Sequence, residues 1–386
     1  MQFLTMIFLN NFLGGDEMKI AGFGVEAWLN QYEKSAVYDL SQSTIESLSL
    51  AEISKLTGLT LSELFGKQKL DYGWIEGSPA FKQAVAQLYQ QVEPENVLQT
   101  NGATGANYLA LYALLEPGDQ IVAEYPSYQQ LSDIPKSFGI ETVYWRLDPQ
   151  NNWYPDLNRL KQLITAKTKM ICLNNANNPT GTLLQRDFLN EVVELAKQVN
   201  AYVLVDEVYQ PLSADASFVS IVDLYEKGIS TNSLSKTYSV PGIRVGWIAT
   251  NDQKITDIFR KYRDYTMICA GVLNDTLAVA LLNNQAKVLA RNQQIVKENA
   301  EILTNWVQRE DKVELKHFPA IPFAFPKFEI NGDIETFCVK LLQETGVLLV
   351  PGNRFAILNH VRLGYCTDKA TLKKGLQLLS EYLLNY

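Results

Sequence analysis

Short apolar runs recur between residues 97 and 249, and each one breaks off in small or polar residues. The runs Val97–Thr100, Gln120–Ala123, Val143–Arg146, Lys169–Leu173, Ala201–Val205, Ile229–Ser233 and Val245–Ala249 read as buried strands. The stretches between most of them are long enough for helices. Such alternation predicts an α/β fold with a mostly parallel sheet covered on both faces. Upstream, Gly24–Tyr32 has the pattern of a short amphipathic helix and Tyr38–Ser43 reads as extended. Ser49, with Glu52 three residues on, marks a helix start. Ser78-Pro79 opens another helix, expected to run to about Val92. Asn101–Ala106 turns a strand into an apolar helix that ends near Glu116-Pro117-Gly118. From Lys254 a long helical region is expected through Arg263-Asp264-Tyr265 to about Trp306. The part from Val313 reads as α+β, with strands near Phe323–Phe328, Val347–Val350 and Val361–Gly364 and a final helix from Asp368 to Leu384.

The first residues fit none of this. Met1–Leu13 is apolar but lacks a basic leading region and a small-residue cleavage site, and it is too short to span a bilayer. Gly14-Gly15-Asp16-Glu17-Met18 is what a purine-rich ribosome-binding site followed by a start codon encodes. Residues 1–17 are therefore expected to be translated leader outside the fold, with Met18 as the working start. Mass spectrometry of the protein made from its own gene checks this.

Composition narrows the function. The chain of 386 residues carries 34 basic and 42 acidic side chains, a net charge of -8, and no basic stripe, which argues against a nucleic-acid partner. Cys172, Cys269, Cys338 and Cys366 are far apart and lack metal-ligand spacing, as expected of a protein in a reducing, cytoplasmic compartment. With only His317 and His360, a histidine-centred triad or metal site is not expected.

The chemistry gathers at the ends of the apolar runs, where open α/β sheets collect ligands. Lys236 sits among hydroxyl residues in Ser233-Leu234-Ser235-Lys236-Thr237, with Pro241-Gly242 and Arg244 following. Desolvation on a loop between buried strands lowers a lysine's pKa and frees its amine for Schiff-base chemistry. Most lysines, however, are surface charges. Ala103 and Thr104 stand at a strand-to-helix turn that can present backbone N–H groups to a phosphate, as many such turns can. Asp206 ends an apolar strand, where it could equally cap a helix.

Taken together, Asn177-Asn178-Pro179-Thr180-Gly181, Asp206, Ser233-Leu234-Ser235-Lys236, Arg244 and Arg362 resemble the class I/II aminotransferases, and the match extends from about residue 24. The resemblance implies a fold-type I enzyme that uses pyridoxal 5′-phosphate, with a smaller α+β C-terminal domain. It divides the chain into an N-terminal segment 18–45 packing with the small domain, a large cofactor-binding domain 46–280 and a small domain 281–386. It implies that Lys236 forms the Schiff base and shuttles a proton, and that Asp206 pairs with the pyridinium nitrogen. By the same similarity Tyr209 and Asn178 donate to the cofactor's phenolic oxygen, and Tyr128 stacks on its ring. Ala103, Thr104, Ser233 and Arg244 would hold the phosphate. Tyr72 matches a residue that reaches the phosphate across a dimer interface, so a homodimer with shared sites is expected. Arg362, with Asn178, would grip the substrate α-carboxylate.

Departures fall on the substrate side. Ser41-Gln42-Ser43 replaces a loop that usually carries a glycine, and Ala320-Ile321-Pro322-Phe323 replaces a glycine-rich approach. Glu26-Ala27-Trp28-Leu29, Arg263-Asp264-Tyr265, Ala324–Phe328 and Gly346–Gly352 resemble the capreomycidine synthase branch instead. The leading expectation is amino transfer between an L-amino acid and a 2-oxo acid through a pyridoxamine intermediate. The alternative is a lyase or cyclase working by β-elimination or replacement. A transcription regulator with an aminotransferase-like sensor would need a DNA-binding module ahead of the fold, and about two dozen residues precede it here.

Overall fold

The computed structural model describes residues 20–210, 212, 218–316, 318 and 320–386. The expected leader 1–17 and His317 lie outside the described residues. Strands are numbered in chain order: β1 (Tyr38–Asp39), β2 (Val97–Asn101), β3 (Gln120–Tyr125), β4 (Glu141–Arg146), β5 (Thr168–Asn174), β6 (Tyr202–Asp206), β7 (Gly228–Ser233) and β8 (Val245–Ala249). The last seven form one sheet in the order β2-β8-β7-β6-β5-β3-β4. Only β8 runs against its neighbours, pairing antiparallel with both β2 and β7. The expected mostly parallel sheet is therefore present, and the chain reverses at the segment that carries Lys236.

Alternate strand residues fill opposite faces, as the period of two requires. Val122, Ile171, Leu173, Val203 and Val205 pack on one side. Ile121, Ala123, Met170, Cys172 and Leu204 pack on the other, against the helices Gly102–Leu114 and Gln253–Arg263. Burial on both faces is why these strands read as near-continuous apolar runs.

The remaining strands are short: β9 (Val313–Glu314), β10 (Phe323–Ala324), β11 (Lys327–Phe328), β12 (Val347–Leu348), β13 (Val350–Pro351) and β14 (Val361–Gly364). The expected strand 323–328 is two strands, because β10 pairs with β14 whereas β11 pairs with β9. Likewise 347–350 divides between β12, which lies parallel to β1, and β13, which pairs with β14. A second apolar cluster joins these strands to Trp28 and Leu40 near the start of the chain and to Leu372, Leu376 and Leu379 near its end. Trp28 Nε1 donates to Leu349 O at 2.9 Å, fastening the N-terminal helix Gly24–Tyr32 to this cluster. The helix Gln285–Val307 serves both clusters, with Val288 in the first and Val296 and Leu303 in the second.

Two helices are shorter than their sequence patterns suggest. The helix from Pro79 ends at Ala86 rather than near Val92, and the N–H groups of Gln90 and Gln91 both turn to Asp223 Oδ1, at 2.8 and 3.1 Å. The region from Lys254 is three helices, Gln253–Arg263, Val272–Asn283 and Gln285–Val307. Arg263 ends the first by burying its guanidinium and donating to the carbonyls of Gln99, Ile75 and Ile268. Gly271, at φ 85°, starts the second.

Candidate active site

β5, β6 and β7 run parallel and finish along one edge of the sheet, with Asn174 beside Asp206 and Asp206 beside Thr231. β2 delivers the start of the helix Gly102–Leu114 to the same edge, because Asn101 pairs with Val245 of β8. A cavity of about 810 Å³ opens there. Its walls include Ala103, Thr104, Tyr128, Asn178, Asp206, Tyr209, Ser233, Lys236, Arg244 and Arg362. The structure thus brings together every residue singled out from the sequence except Tyr72, which does not line it. Tyr72 is 72% exposed on the loop before Ser78.

Lys236 lies on the turn between β7 and the Pro241–Ile243 helical turn. Its Nζ donates to Ser43 Oγ at 2.9 Å and stands 5.8 Å from the centre of the Tyr209 ring. Burial, assisted by the positive charge of Arg362, lowers the lysine pKa to about 8. The amine therefore sheds its proton near neutral pH, as a nucleophilic amine must.

Asp206 is buried at the end of β6, and burial pushes its pKa up to about 6. Asn107 Nδ2 donates to Asp206 Oδ2 at 2.7 Å, and the Val208 N–H to Oδ1 at 3.3 Å. Asn107 is itself oriented, since Thr231 Oγ1 donates to its Oδ1 at 2.5 Å. A second chain of amides sits behind the acid. Asn174 Nδ2 donates to the Asp206 carbonyl at 2.9 Å, and Asn174 Oδ1 accepts from the Asn178 N–H at 2.8 Å. Among the described residues the carboxylate has donors but forms no ion pair, and Lys236 acts on it only through its charge, a setting that favours a bound cationic ring nitrogen.

Arg244 follows the Pro241–Ile243 turn, and its Nη1 donates to Ser235 Oγ at 3.2 Å and to Pro241 O at 3.0 Å. Gly102 has φ 64°, and a Cβ on it would collide with Arg244 Nη2. A Cβ on Gly246 would lie 2.7 Å from the Ala103 nitrogen. Both glycines let β8 and its arginine press against the first turn of the helix Gly102–Leu114. There the free N–H groups and the helix dipole favour an anion, and Ser233, Ser235, Thr104 and Arg244 add donors around it. This donor set fits a phosphate monoester.

Arg362 of β14 is 2% exposed. Its Nη1 donates to Asn178 Oδ1 at 3.1 Å and its Nη2 to Ser41 O at 2.9 Å, while Nε has no partner. Desolvation lowers its pKa, so a bound anion is favoured beside it. Tyr209 packs edge-on against Phe323, with centroids 5.1 Å apart, and burial raises its phenol to about 12. Tyr128 meets Phe23 at 5.2 Å.

Sequence reasoning missed Asn107 as a functional side chain. Its signal was a lone polar residue in the apolar run after the glycine turn. It also recorded Ser43 only as a departure, whereas Ser43 holds the lysine. Glu26, Glu33, Asp39 and Glu46 line the same cavity. Among the described residues no helix is long and apolar enough to cross a membrane, and no cluster of side chains could hold a metal ion.

Known proteins with this fold are numerous. Over 379 residues the chain is 27% identical to capreomycidine synthase of Streptomyces vinaceus, covering 96% of each protein. It is 31% identical to aspartate aminotransferase of Thermotoga maritima over 299 residues, 76% of this chain and 77% of that one. A PLP-dependent aminotransferase from Streptococcus suis 89-1591 superposes with a TM-score of 0.93 at 52% identity, over 95% of this chain and 99% of that one. Residues 36–379 match the family described as aminotransferase class I and II, and with its fold-type I sheet the chain belongs to that family of enzymes, which take pyridoxal 5′-phosphate as cofactor.

Proposed function

We propose that this enzyme transfers an amino group between an L-amino acid and a 2-oxo acid. The observation that carries the reading is Lys236, a half-buried amine held by Ser43, with its pKa lowered to about 8, lining one cavity with Arg362 and Asp206. When bound, pyridoxal 5′-phosphate supplies an aldehyde that condenses with amines and a ring that takes up the electrons freed when a Cα–H bond breaks.

The residues divide the work of holding it. Arg244, Ser233 and the N–H groups at Ala103 and Thr104 take the phosphate. Asp206, held by Asn107, takes the ring nitrogen and keeps its proton there. Tyr128 would cover a ring face, and Tyr209 and the Asn178 amide would donate to the phenolic oxygen. Lys236 provides the amine for cofactor capture and moves a proton to and from the substrate Cα. Arg362 binds the α-carboxylate with a planar fork, assisted by Asn178. Tyr72 stands outside its own cavity, and we assign it to the phosphate site of a second copy in a homodimer. A cytoplasmic setting agrees with the free cysteines, of which Cys172, Cys338 and Cys366 are buried.

A second reading, elimination or cyclisation on the same cofactor, is supported by the similarity to capreomycidine synthase along 96% of both chains. One experiment separates them. Each common L-amino acid is added singly to the holoenzyme with no 2-oxo acid present. Stoichiometric bleaching of the cofactor's absorbance means amino transfer and names the donor. Repeated release of ammonia or product, with the absorbance unchanged, means elimination.

A further inference from the structure

Ser43 Oγ accepts the one hydrogen bond that Lys236 Nζ gives to a described residue, at 2.9 Å. The serine is 8% exposed and lines the cavity with Asp206, Tyr209 and Arg362. Its hydroxyl bonds to no backbone group of the described residues, so it caps no turn. Burial raises the pKa of the Tyr209 phenol, and the charge of Arg362 and a hydrogen bond from Ser43 oppose that rise. The hydroxyl thus stands between an amine and a phenol, and the order has one sense: Lys236 N–H to the Ser43 oxygen, Ser43 O–H to the Tyr209 oxygen. The Tyr209 proton is left for the oxygen assigned to it above.

Ties to both clusters of the fold hold Ser43 in this place. The Gly364 N–H donates to Leu40 O at 2.8 Å, and the Glu46 N–H donates to Cys366 O at 2.7 Å. Between those ties Arg362 Nη2 donates to Ser41 O at 2.9 Å, and a Cβ on Gly364 would lie 2.0 Å from Gln42 O. Downstream, the Leu48 N–H donates to Ser239 O at 2.9 Å, and the Ser239 N–H donates to Lys236 O at 3.2 Å. One strap therefore runs from Arg362 to the lysine's own turn, and the Ser43 hydroxyl is the point where it meets the amine.

A carboxylate in this position would hold the amine's proton and blunt it as a base. A neutral hydroxyl fixes the direction of Nζ and leaves its lone pair free. When the substrate Cα–H bond breaks, the proton bonds to Nζ, and the electron pair stays with the substrate and the ring joined to it. The ammonium so formed donates to Ser43 more strongly than the amine did. The proton carrier is thereby kept in place until the proton is returned.

We infer that Ser43 is a positioning residue for proton transfer: its hydroxyl aims the Lys236 amine at the substrate Cα and couples it to Tyr209. This rests on the assignment of Lys236 above. It applies to amino transfer and elimination alike, because both break the Cα–H bond.

The test has two readouts. Capture of pyridoxal 5′-phosphate by the apoprotein is followed by absorbance across pH. With the holoenzyme in deuterium oxide, loss of the α-hydrogen signal of each common L-amino acid is followed by nuclear magnetic resonance. Ser43→Ala removes an acceptor that favours the ammonium form, while Arg362, Glu26, Arg244 and Asp206, the charged groups that act on Lys236, stay in place. The midpoint of capture should therefore move to lower pH, the amine losing about fivefold in proton affinity. Exchange should slow by about tenfold to a hundredfold, because the amine is no longer aimed. Ser43→Thr keeps the hydroxyl and should restore both. An unmoved midpoint, exchange at the parent rate, or equal changes in Ser43→Ala and Ser43→Thr would overturn the proposal. Capture that survives Lys236→Ala would refute the lysine assignment and the proposal with it. Capture and exchange that respond as expected, with bleaching by no amino acid, would refute amino transfer and leave the role of Ser43 standing.

Discussion

Asn107 donates to the Asp206 carboxylate at 2.7 Å, although 99 residues separate them in the chain. The acid assigned above to the cofactor's ring nitrogen is thus oriented by a neutral amide, and that amide is fixed in turn by Thr231. A basic residue in the same place would satisfy the carboxylate and compete with the ring. Asn107→Ala should leave a buried carboxylate short of a donor, worth about 1.5–3 kcal/mol for a hydrogen bond to a charged group. The pKa of Asp206, already up at about 6, should rise further. Titration of apoprotein with the cofactor, followed by absorbance, should show affinity reduced by roughly tenfold to a hundredfold. Unchanged affinity would remove Asn107 from the site.

Lys236 should control cofactor capture through its proton. Its pKa is lowered to about 8, chiefly by burial, so the amine is protonated below that pH and free above it. The rate at which apoprotein captures the cofactor should climb through pH 8 and then level off. Lys236→Ala should abolish turnover while leaving the fold and assembly intact, seen as an unchanged elution volume and circular dichroism spectrum.

Arg362 is too buried to be replaced cheaply. Arg362→Ala should cost about 2–5 kcal/mol of carboxylate binding, read as a fall in kcat/KM of roughly thirtyfold or more. Arg362→Lys should recover little of it, because one ammonium cannot reproduce the fork that reaches Asn178 and Ser41.

Gly246 tests the cup by crowding. In Gly246→Ala the new methyl would sit 2.7 Å from both Ala103 N and Asn232 O, atoms of the backbone that cannot swing aside. The expected result is a lower Tm together with weaker binding of the cofactor, whereas Gly242→Ala, with open space around it, should change neither.

A buried acid away from the cavity should shape stability. Glu207 accepts from Ser220 Oγ at 2.8 Å, from the Ile221 N–H at 2.9 Å and from Ser230 Oγ at 2.5 Å, with Tyr89 beyond Ser230 and Asp223 nearby. Burial still raises its pKa from 4.5 to about 7. The folded protein therefore holds this proton where the unfolded chain has released it. Its contribution to stability is full below pH 4.5 and is lost as pH rises to about 7. Glu207→Gln should flatten that part of the profile in urea unfolding at a series of pH values. A slope equal to that of the parent protein would contradict the assignment.

Much of this was legible in the chain because strand ends announce themselves. Asp206, Ser233 and Lys236 stand where apolar runs stop, and parallel strands bring such stops to one edge. Gly102 was legible as part of a turn and Gly246 as part of a strand, although their close approach to Arg244 and Ala103 was not. The unread part depends on contacts between distant segments. Ser43 meets Lys236 across 193 residues, and nothing local in Ser41-Gln42-Ser43 points to a lysine. Glu26 resembles any solvent-facing residue of an amphipathic helix until the cavity behind it is seen. The helix from Pro79 stops early because Asp223, far along the chain, captures the backbone that would extend it. Strands of two residues leave no period to detect.

The fastening of Trp28 to Leu349 sets an order of events during synthesis. The N-terminal helix leaves the ribosome early, yet the carbonyl that receives its indole belongs to a residue 321 positions later. Leu40 likewise awaits Gly364, whose N–H donates to its carbonyl. The central sheet can therefore assemble while the wall bearing Glu26 and Ser43 is still unplaced. A nascent chain able to grasp the cofactor's phosphate would lack that wall of the cavity until nearly the last helix has emerged.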